Sequence, residues 1–356
     1  MDFKEFRAQM IEDLKERMYE RTGEEYEIEP NTVAKLQDAG YDGIVVRKAG
    51  DTIGVNIDAT AFFHDYNSGK KDYDEVLNDA TEMCMHGIEE MPGFNIDEFK
   101  NYDIMKEKLA MQVVATERNA EMLEKIPHKE IEDMSVVFRF IVGNNHDGLS
   151  SILITNDMLK SYGIDENQLF KDALTYAPDL RPSEIKGMVD VLAEMMGVDV
   201  SELENEFITG PGAPEIPMFV ASTEDKTNGA GIIAYPGFME MASEKLGGDF
   251  FLLPSSIHEV ILVPDNGKMD YRELEKMVHE VNETQVRPTE RLSDNVYHYD
   301  SKEKIFELAS KTDARRKEKP VEKDSVLKDL SAEKMEADAS PKIKADKVHK
   351  KEEQAL

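Results

Sequence analysis

Apolar residues recur at helical spacing from the start of the chain. Phe3, Phe6, Met10, Leu14 and Met18 fall on one face and predict an amphipathic helix ending near Gly23. The next pattern alternates: YDGIVVRKAGDTIGVNIDATAFF holds two β-rich runs around the turn-forming Ala49-Gly50-Asp51 and predicts a hairpin. Helices are expected over 73–90 and 96–125, the second with Met and Leu on one face and closed by Pro127. VVFRFIVGNNHDGLSSILITNDMLKSYGI reads as a strand, a turn over 144–148, a second strand and a helix. MFVASTEDKTNGAGIIAYPGFMEMASEKLG repeats that order, with its turn at Asn228-Gly229 and its second strand over Ile232, Ile233 and Ala234. Two explanations fit the likeness: one hairpin-plus-helix unit used two or three times, or chance agreement of common α+β patterns. PSEIKGMVDVLAEMMG predicts a helix between Pro182-Ser183 and Gly197, and EFITGPGAPEIP a connector with a candidate hinge over 207–217. A short apolar strand over 257–263 is bracketed by Pro254 and Pro264. Asp265-Asn266-Gly267 then makes a turn, and 271–281 a helix with Leu274, Met277, Val278 and Val281 on one face.

Together these elements predict an α+β fold, with mixed or antiparallel sheets built from repeated hairpin-plus-helix units and helices packed on one side. The expected organisation is an N-terminal region over 1–130, a second α+β region over 131–308 and a charged tail over 309–356. The tail has too few apolar side chains to offset the entropy of ordering and is expected to be disordered. Only Val326, Leu327 and Leu330 form a patch that could fold on a partner.

Charge changes the picture most. The net charge is −31, and from residue 311 onward 13 Lys and Arg nearly balance 11 Asp and Glu. Residues 1–310 therefore hold 30 bases against 63 acids, a net −33. Such a body disfavours direct binding to nucleic acid, which needs cations to displace counterions from phosphates. It also disfavours anionic membrane surfaces. Acidity that keeps the protein soluble is one reading; mimicry of a nucleic-acid backbone in another protein's basic groove is the second. The single cysteine, Cys84, excludes an internal disulfide and lies in a helical pattern as a small apolar residue. The opening residues have no signal-peptide core and no apolar run approaches a membrane span, so a soluble, cytoplasmic protein is expected. Its expected partner is another protein.

Several strings resemble an uncharacterised bacterial family, number 5688 among the catalogued domains of unknown function. They are YDGIVVR, FFHDYNSGKKDYDEVL, the expected helix LAMQVVATERNAEMLEKIPHKEIEDMSVVFRFIV, the expected hairpin around NGAGIIAY, LLPSSIHEVILVP, and MVHEVNETQV with LSDNVYHYD. The resemblance covers about residues 1–308, with LPSSIHEV and LSDNVYHYD the most specific pieces. It implies kinship and no activity.

Candidate chemistry concentrates over 250–300. Ser255, Ser256, His258 and Glu259 could support nucleophilic catalysis if an imidazole took the hydroxyl proton and a carboxylate oriented the ring. On a strand, however, Ser256 and His258 share a face that Glu259 does not. Serines forming a turn after Pro254, with His258 fixing strand packing, explain the string without catalysis. In YHYD, Tyr297 and Tyr299 fall on one face, His298 and Asp300 on the other. His298 and Asp300, joined by His258, could form a mixed metal site, whereas tyrosines packing on a strand explain the string without one. His64-Asp65 reads as a loop-side polar pair, Asn144 to Gly148 as turn chemistry, and Gly229-Ala230-Gly231 as too short for a phosphate loop. No cofactor and no metal are expected. The leading reading is a binding protein without catalysis; the alternatives are a small-molecule hydrolase using His258, Glu259 and His298, and a nucleic-acid mimic acting on a defence protein.

Overall fold

The computed structural model describes residues 1–50, 54–89, 96–145, 148–203 and 217–317. The expected hinge, the tip of the 144–148 turn and the tail patch at Val326 lie outside the described residues. The chain divides into two compact units, residues 1–308 and 309–356. Of the second, residues 309–317 are described and are helical.

Helix α1 (Phe3–Thr22) starts where Asp2 and Glu5 exchange capping hydrogen bonds, and stops at Gly23, whose φ of 72° a Cβ would disfavour. Its Phe6, Met10, Leu14 and Met18 are fully buried, as the spacing predicts. They pack on an antiparallel sheet of β1 (Tyr26–Val33), β2 (Tyr41–Lys48) and β3 (Val55–Ile57), with helices α2 (Ala59–Asn67) and α3 (Tyr73–Glu89) completing the layer. Phe6 anchors it, meeting Phe63 edge-on at 5.3 Å and stacking on Tyr66 at 5.5 Å. The expected hairpin is β2–β3; β1 is an additional strand. His64 and Asp65 fall in α2 instead of a loop, with Asp65 held by Lys70 at 2.9 Å. Cys84 is buried, and desolvation pushes its thiol pKa up to about 12.

The expected long helix over 96–125 is broken into several elements. Short helices α4 (Ile96–Phe99) and α5 (Tyr102–Met105) and a 3-10 turn lead into strand β4 (Leu109–Ala115); a second 3-10 turn, Glu117–Asn119, and α6 (Ala120–Leu123) follow. The first six residues of β4 are all buried. A strand covered on both faces reads as a continuous apolar run, and the methionines around it mimicked a helical stripe. β4 pairs along one side of β6 (Met134–Asn145), while β5 (His128–Ile131) and β7 (Gly148–Leu153) share the other. Helices α7 (Asn156–Tyr162) and α8 (Glu166–Leu180) follow, so the expected two strands and the helix after them form here.

The predicted helix after Pro182 begins instead as strand β8 (Ser183–Gly187), and only then turns into α9 (Met188–Met196), ending at Gly197; α10 (Val200–Leu203) comes next. The second copy of the hairpin unit also departs from expectation. Strand β9 (Phe219–Thr223) is followed by a buried 3-10 helix, Gly229–Ala234, and then by α11 (Phe238–Leu246). Gly231 is pressed so closely on the Met111 carbonyl of β4 that a Cβ would run into it, so this segment packs across β4 and does not pair. Strands β10 (Phe250–Leu253) and β11 (Val260–Pro264), helix α12 (Tyr271–Thr284), and strands β12 (Tyr297–Asp300) and β13 (Ile305–Leu308) complete the unit. The larger sheet runs β13-β12-β10-β11-β9-β8, antiparallel throughout. The class is α+β with antiparallel sheets. One core joins Met111, Phe138 and Phe140 of the four-stranded sheet to Phe250, Leu252, Tyr297 and Tyr299 of the larger one.

Candidate functional site

The serine–histidine string does not lie on a strand. β10 ends at Leu253 and β11 starts at Val260, leaving 254–259 as a loop. Ser256 Oγ accepts the His258 main-chain N–H at 3.0 Å, and Ser256 N–H donates to the Glu259 carbonyl at 3.2 Å, closing the turn. The loop is then fastened to its neighbours. Ser222 Oγ donates to the His258 carbonyl at 2.7 Å, Ala230 N–H to the Ile257 carbonyl at 3.2 Å, and Ile257 N–H to the Glu290 carbonyl at 2.9 Å. The His258 ring accepts the Asn228 N–H at Nδ1 (3.2 Å), with the Lys226 carbonyl 3.1 Å from the same nitrogen. Its Nε2 lies 3.9 Å from Glu290 Oε1, and the side chain is 37% exposed. Ser256 and His258 thus direct their hydrogen bonds to main chain, and the carboxylate beside the ring is Glu290, which the sequence reading did not single out.

His298 occupies the other end of the hairpin. It pairs with Phe251, whose ring it meets edge-on at 5.1 Å, and it is 1% exposed. Its Nε2 lies 3.0 Å from Asp265 Oδ2, at the end of β11. Asp300, expected beside it, instead accepts the Lys302 and Glu303 N–H groups and shapes the β12–β13 turn. Asp249, Asp265 and His298 each place one potential metal-ligand atom within 4.8 Å of the others. Those carboxylates already accept protein donors: Ser301 N–H and Oγ on Asp249, Gly267 N–H on Asp265. The atoms that converge at metal-ligand spacing are thus those of Asp249, Asp265 and His298, while His258 sits in the 254–259 loop and Asp300 at the β12–β13 turn.

Two polar centres escaped the sequence reading. Asp133, in the β5–β6 turn, accepts Ser293 Oγ (2.6 Å), Asn295 Nδ2 (3.0 Å) and the Tyr297 hydroxyl. Burial, reinforced by Asp133, raises the Tyr297 pKa, so the phenol stays a donor. Ser293, Asn295 and Tyr297 stand two residues apart, which signals a shared partner without naming it. Asp133 also borders a cleft of about 660 Å³, where His279 lies 3.3 Å from Asp294 and 3.6 Å from Glu283. The second centre is Arg181, 6% exposed, which clamps Asp225, Thr223 Oγ1 and the Thr227 carbonyl. It holds the turn between β9 and the 3-10 helix, where Lys226 and Asn228 take positive φ values of 55° and 53°.

Among the described residues no helix is long and apolar enough to cross a membrane. No curated protein and no solved structure matches the chain. The profile of a family of unknown function (DUF5688) matches residues 3–301, and the chain belongs to that family.

Proposed function

We propose that the protein is a non-catalytic cytoplasmic binding protein for a basic protein partner. What supports this reading is the use made of the reactive side chains near its end. Ser256 and His258 staple one loop to another, His298 and Asp265 face each other under cover, and Asp300 shapes a turn. Residues 1–310 meanwhile present 63 acids against 30 bases. Such a field steers and selects cationic surfaces, and acts more on association than on the fold.

The hydrolase alternative needs His258, Glu259 and His298 to converge, and their hydrogen-bond partners lie at opposite ends of the β10–β11 hairpin. The mimic alternative needs unpaired acids in rows. Against it, Arg47 draws Glu27 and Glu29 together at 2.8 Å each, and Arg17 pairs with Asp74 at 2.7 Å.

In-cell crosslinking of the full chain, followed by reconstitution with each captured protein, tests the proposal. A basic partner whose affinity falls roughly tenfold or more between low and high salt is expected. Salt-independent binding to a neutral partner overturns the reading. So does hydrolysis of a chromogenic ester or phosphoester that disappears in His258→Ala. Displacement of the partner by duplex DNA would instead favour mimicry.

A further inference from the structure

The β1–β2 connection, residues 34–40, leaves the three-stranded sheet and packs Leu36 against a small cluster of Val114, Leu123, Ile126 and Val137. At its tip Gln37 takes a left-handed conformation (φ 66°) and is 4% exposed. Its N–H donates to Asn119 Oδ1 at 2.6 Å and its Nε2 to the Arg291 carbonyl at 2.6 Å. Its Oε1 accepts Asn119 Nδ2 at 2.5 Å and the Ala115 N–H at 3.1 Å. This buried, mutually satisfied amide pair fixes the connection against the Glu117–Asn119 turn and α6. Beside it opens a cleft of about 410 Å³, within the range of small-molecule sites.

The lining of this cleft is unlike the surrounding surface. Acids outnumber bases two to one over residues 1–310, yet the cleft sets Lys35, Arg118 and Lys125 against Asp38 and Glu121. Neither acid neutralises them firmly. Asp38 accepts the N–H of its own neighbour Ala39 at 2.7 Å, and Glu121 meets Lys125 as an exposed one-turn pair at 3.2 Å. Arg118 donates to the Pro288 carbonyl and Lys35 lies over the Tyr41 ring at 4.7 Å, which leaves both with further N–H donors. Beneath these cations the floor is apolar: Met122, Ile126 and Leu153 belong to a small hydrophobic cluster with Val114 and Val137.

We propose that this cleft binds a small amphipathic anion, with an aromatic or acyl body on the floor and a carboxylate, sulfonate or phosphate at Lys35, Arg118 and Lys125. The acidic body repels anions at long range, but at physiological salt that repulsion is screened beyond about 8 Å, whereas the cleft cations act at contact. Because Lys35 comes from the hairpin connection and Arg118 and Lys125 from the other wall, an occupant ties the two together. The inference is independent of the protein-partner reading, and either can fail alone.

The probe is 8-anilinonaphthalene-1-sulfonate, titrated by fluorescence into the full chain at physiological salt. Saturable binding of one molecule per chain is expected. Lys35→Gln with Lys125→Gln should weaken it about tenfold, about 1.4 kcal/mol. The charge-preserving Lys35→Arg with Lys125→Arg should retain it, and Arg118→Gln alone should weaken it. The uncharged N-phenyl-1-naphthylamine should bind at least tenfold more weakly than the sulfonate. Matching thermal midpoints and near-ultraviolet circular dichroism guard against dye binding to a loosened chain. Absence of saturable binding, undiminished binding in the double Gln variant, or equal binding of the uncharged probe overturns the proposal.

Discussion

His258 and His298 stand at opposite ends of the β10–β11 hairpin, each within reach of a carboxylate, and the hairpin uses them differently. His298 is 1% exposed and faces Asp265, whose side chain is 9% exposed, at 3.0 Å. His258 is 37% exposed, and Glu290 stands 3.9 Å away. At the first end a hydrogen bond shielded from water helps to join three strands. At the second, main-chain contacts hold the loop, and the part-exposed imidazole adds one hydrogen bond, accepted from the Asn228 N–H. One residue type beside an acid thus means core architecture in one place and a surface contact in the other, and burial decides between them.

The sharpest way to break this contrast is His298→Ala. It takes a donor from a nearly sealed carboxylate and opens a void beside Phe251, and should cost about 3 kcal/mol in urea unfolding. A loss below about 1 kcal/mol would show that the sealed end does not depend on the ring.

Gly229→Ala tests whether main chain rules the other end. A Cβ there would stand 2.5 Å from the His258 carbonyl and 2.8 Å from the Thr223 nitrogen, forcing the two loops apart. About 2 kcal/mol is expected from such overpacking. His258→Ala, by contrast, should cost about 1 kcal/mol or less, since it removes a part-exposed ring that accepts the Asn228 N–H and leaves the main-chain bonds of the loop in place. If His258→Ala proves costlier than Gly229→Ala in the same unfolding assay, the imidazole and not the backbone organises that loop.

The same distinction explains what could be read from the chain. Phe6, Met10, Leu14 and Met18 form an amphipathic stripe with water on the opposite side, and such a stripe announces its period. Leu109 to Val114 are buried on both faces, which erases the alternation and lets the surrounding methionines suggest a helix. Gly229 to Ala234 carry strand-like Ile232 and Ile233, but the close approach of Gly231 to Met111 is a tertiary fact that no local pattern encodes. LSDNVYHYD was recognisable as unusual, and its alternation was right for Tyr297 and His298. Its partners Asp133 and Asp265 come from other turns, 164 and 33 residues away along the chain. Polar clusters stand out in sequence by composition, whereas the identity of each hydrogen-bond partner depends on topology.

The smallest expected effect concerns pH, and it separates the two ends once more. Asp225 lies on the His258 side, in the turn clamped by Arg181. Partial burial raises its pKa, but hydrogen bonds from Arg181, Thr227 and Thr223 outweigh that, and the carboxyl sits below the usual aspartate range. A depressed native pKa means that the unfolded chain takes up the proton first as pH falls. The Asp225 contribution is therefore complete above the unfolded value near 4 and declines as pH drops through the native one. Asp225→Asn should accordingly be less stable than the parent at pH 6, with the gap narrowing by pH 3. Urea midpoints of both proteins across that interval measure it. A gap that stays constant would mean that Arg181 is held by the Thr223 hydroxyl and the Thr227 carbonyl, and that the charge on Asp225 contributes nothing to this end of the hairpin.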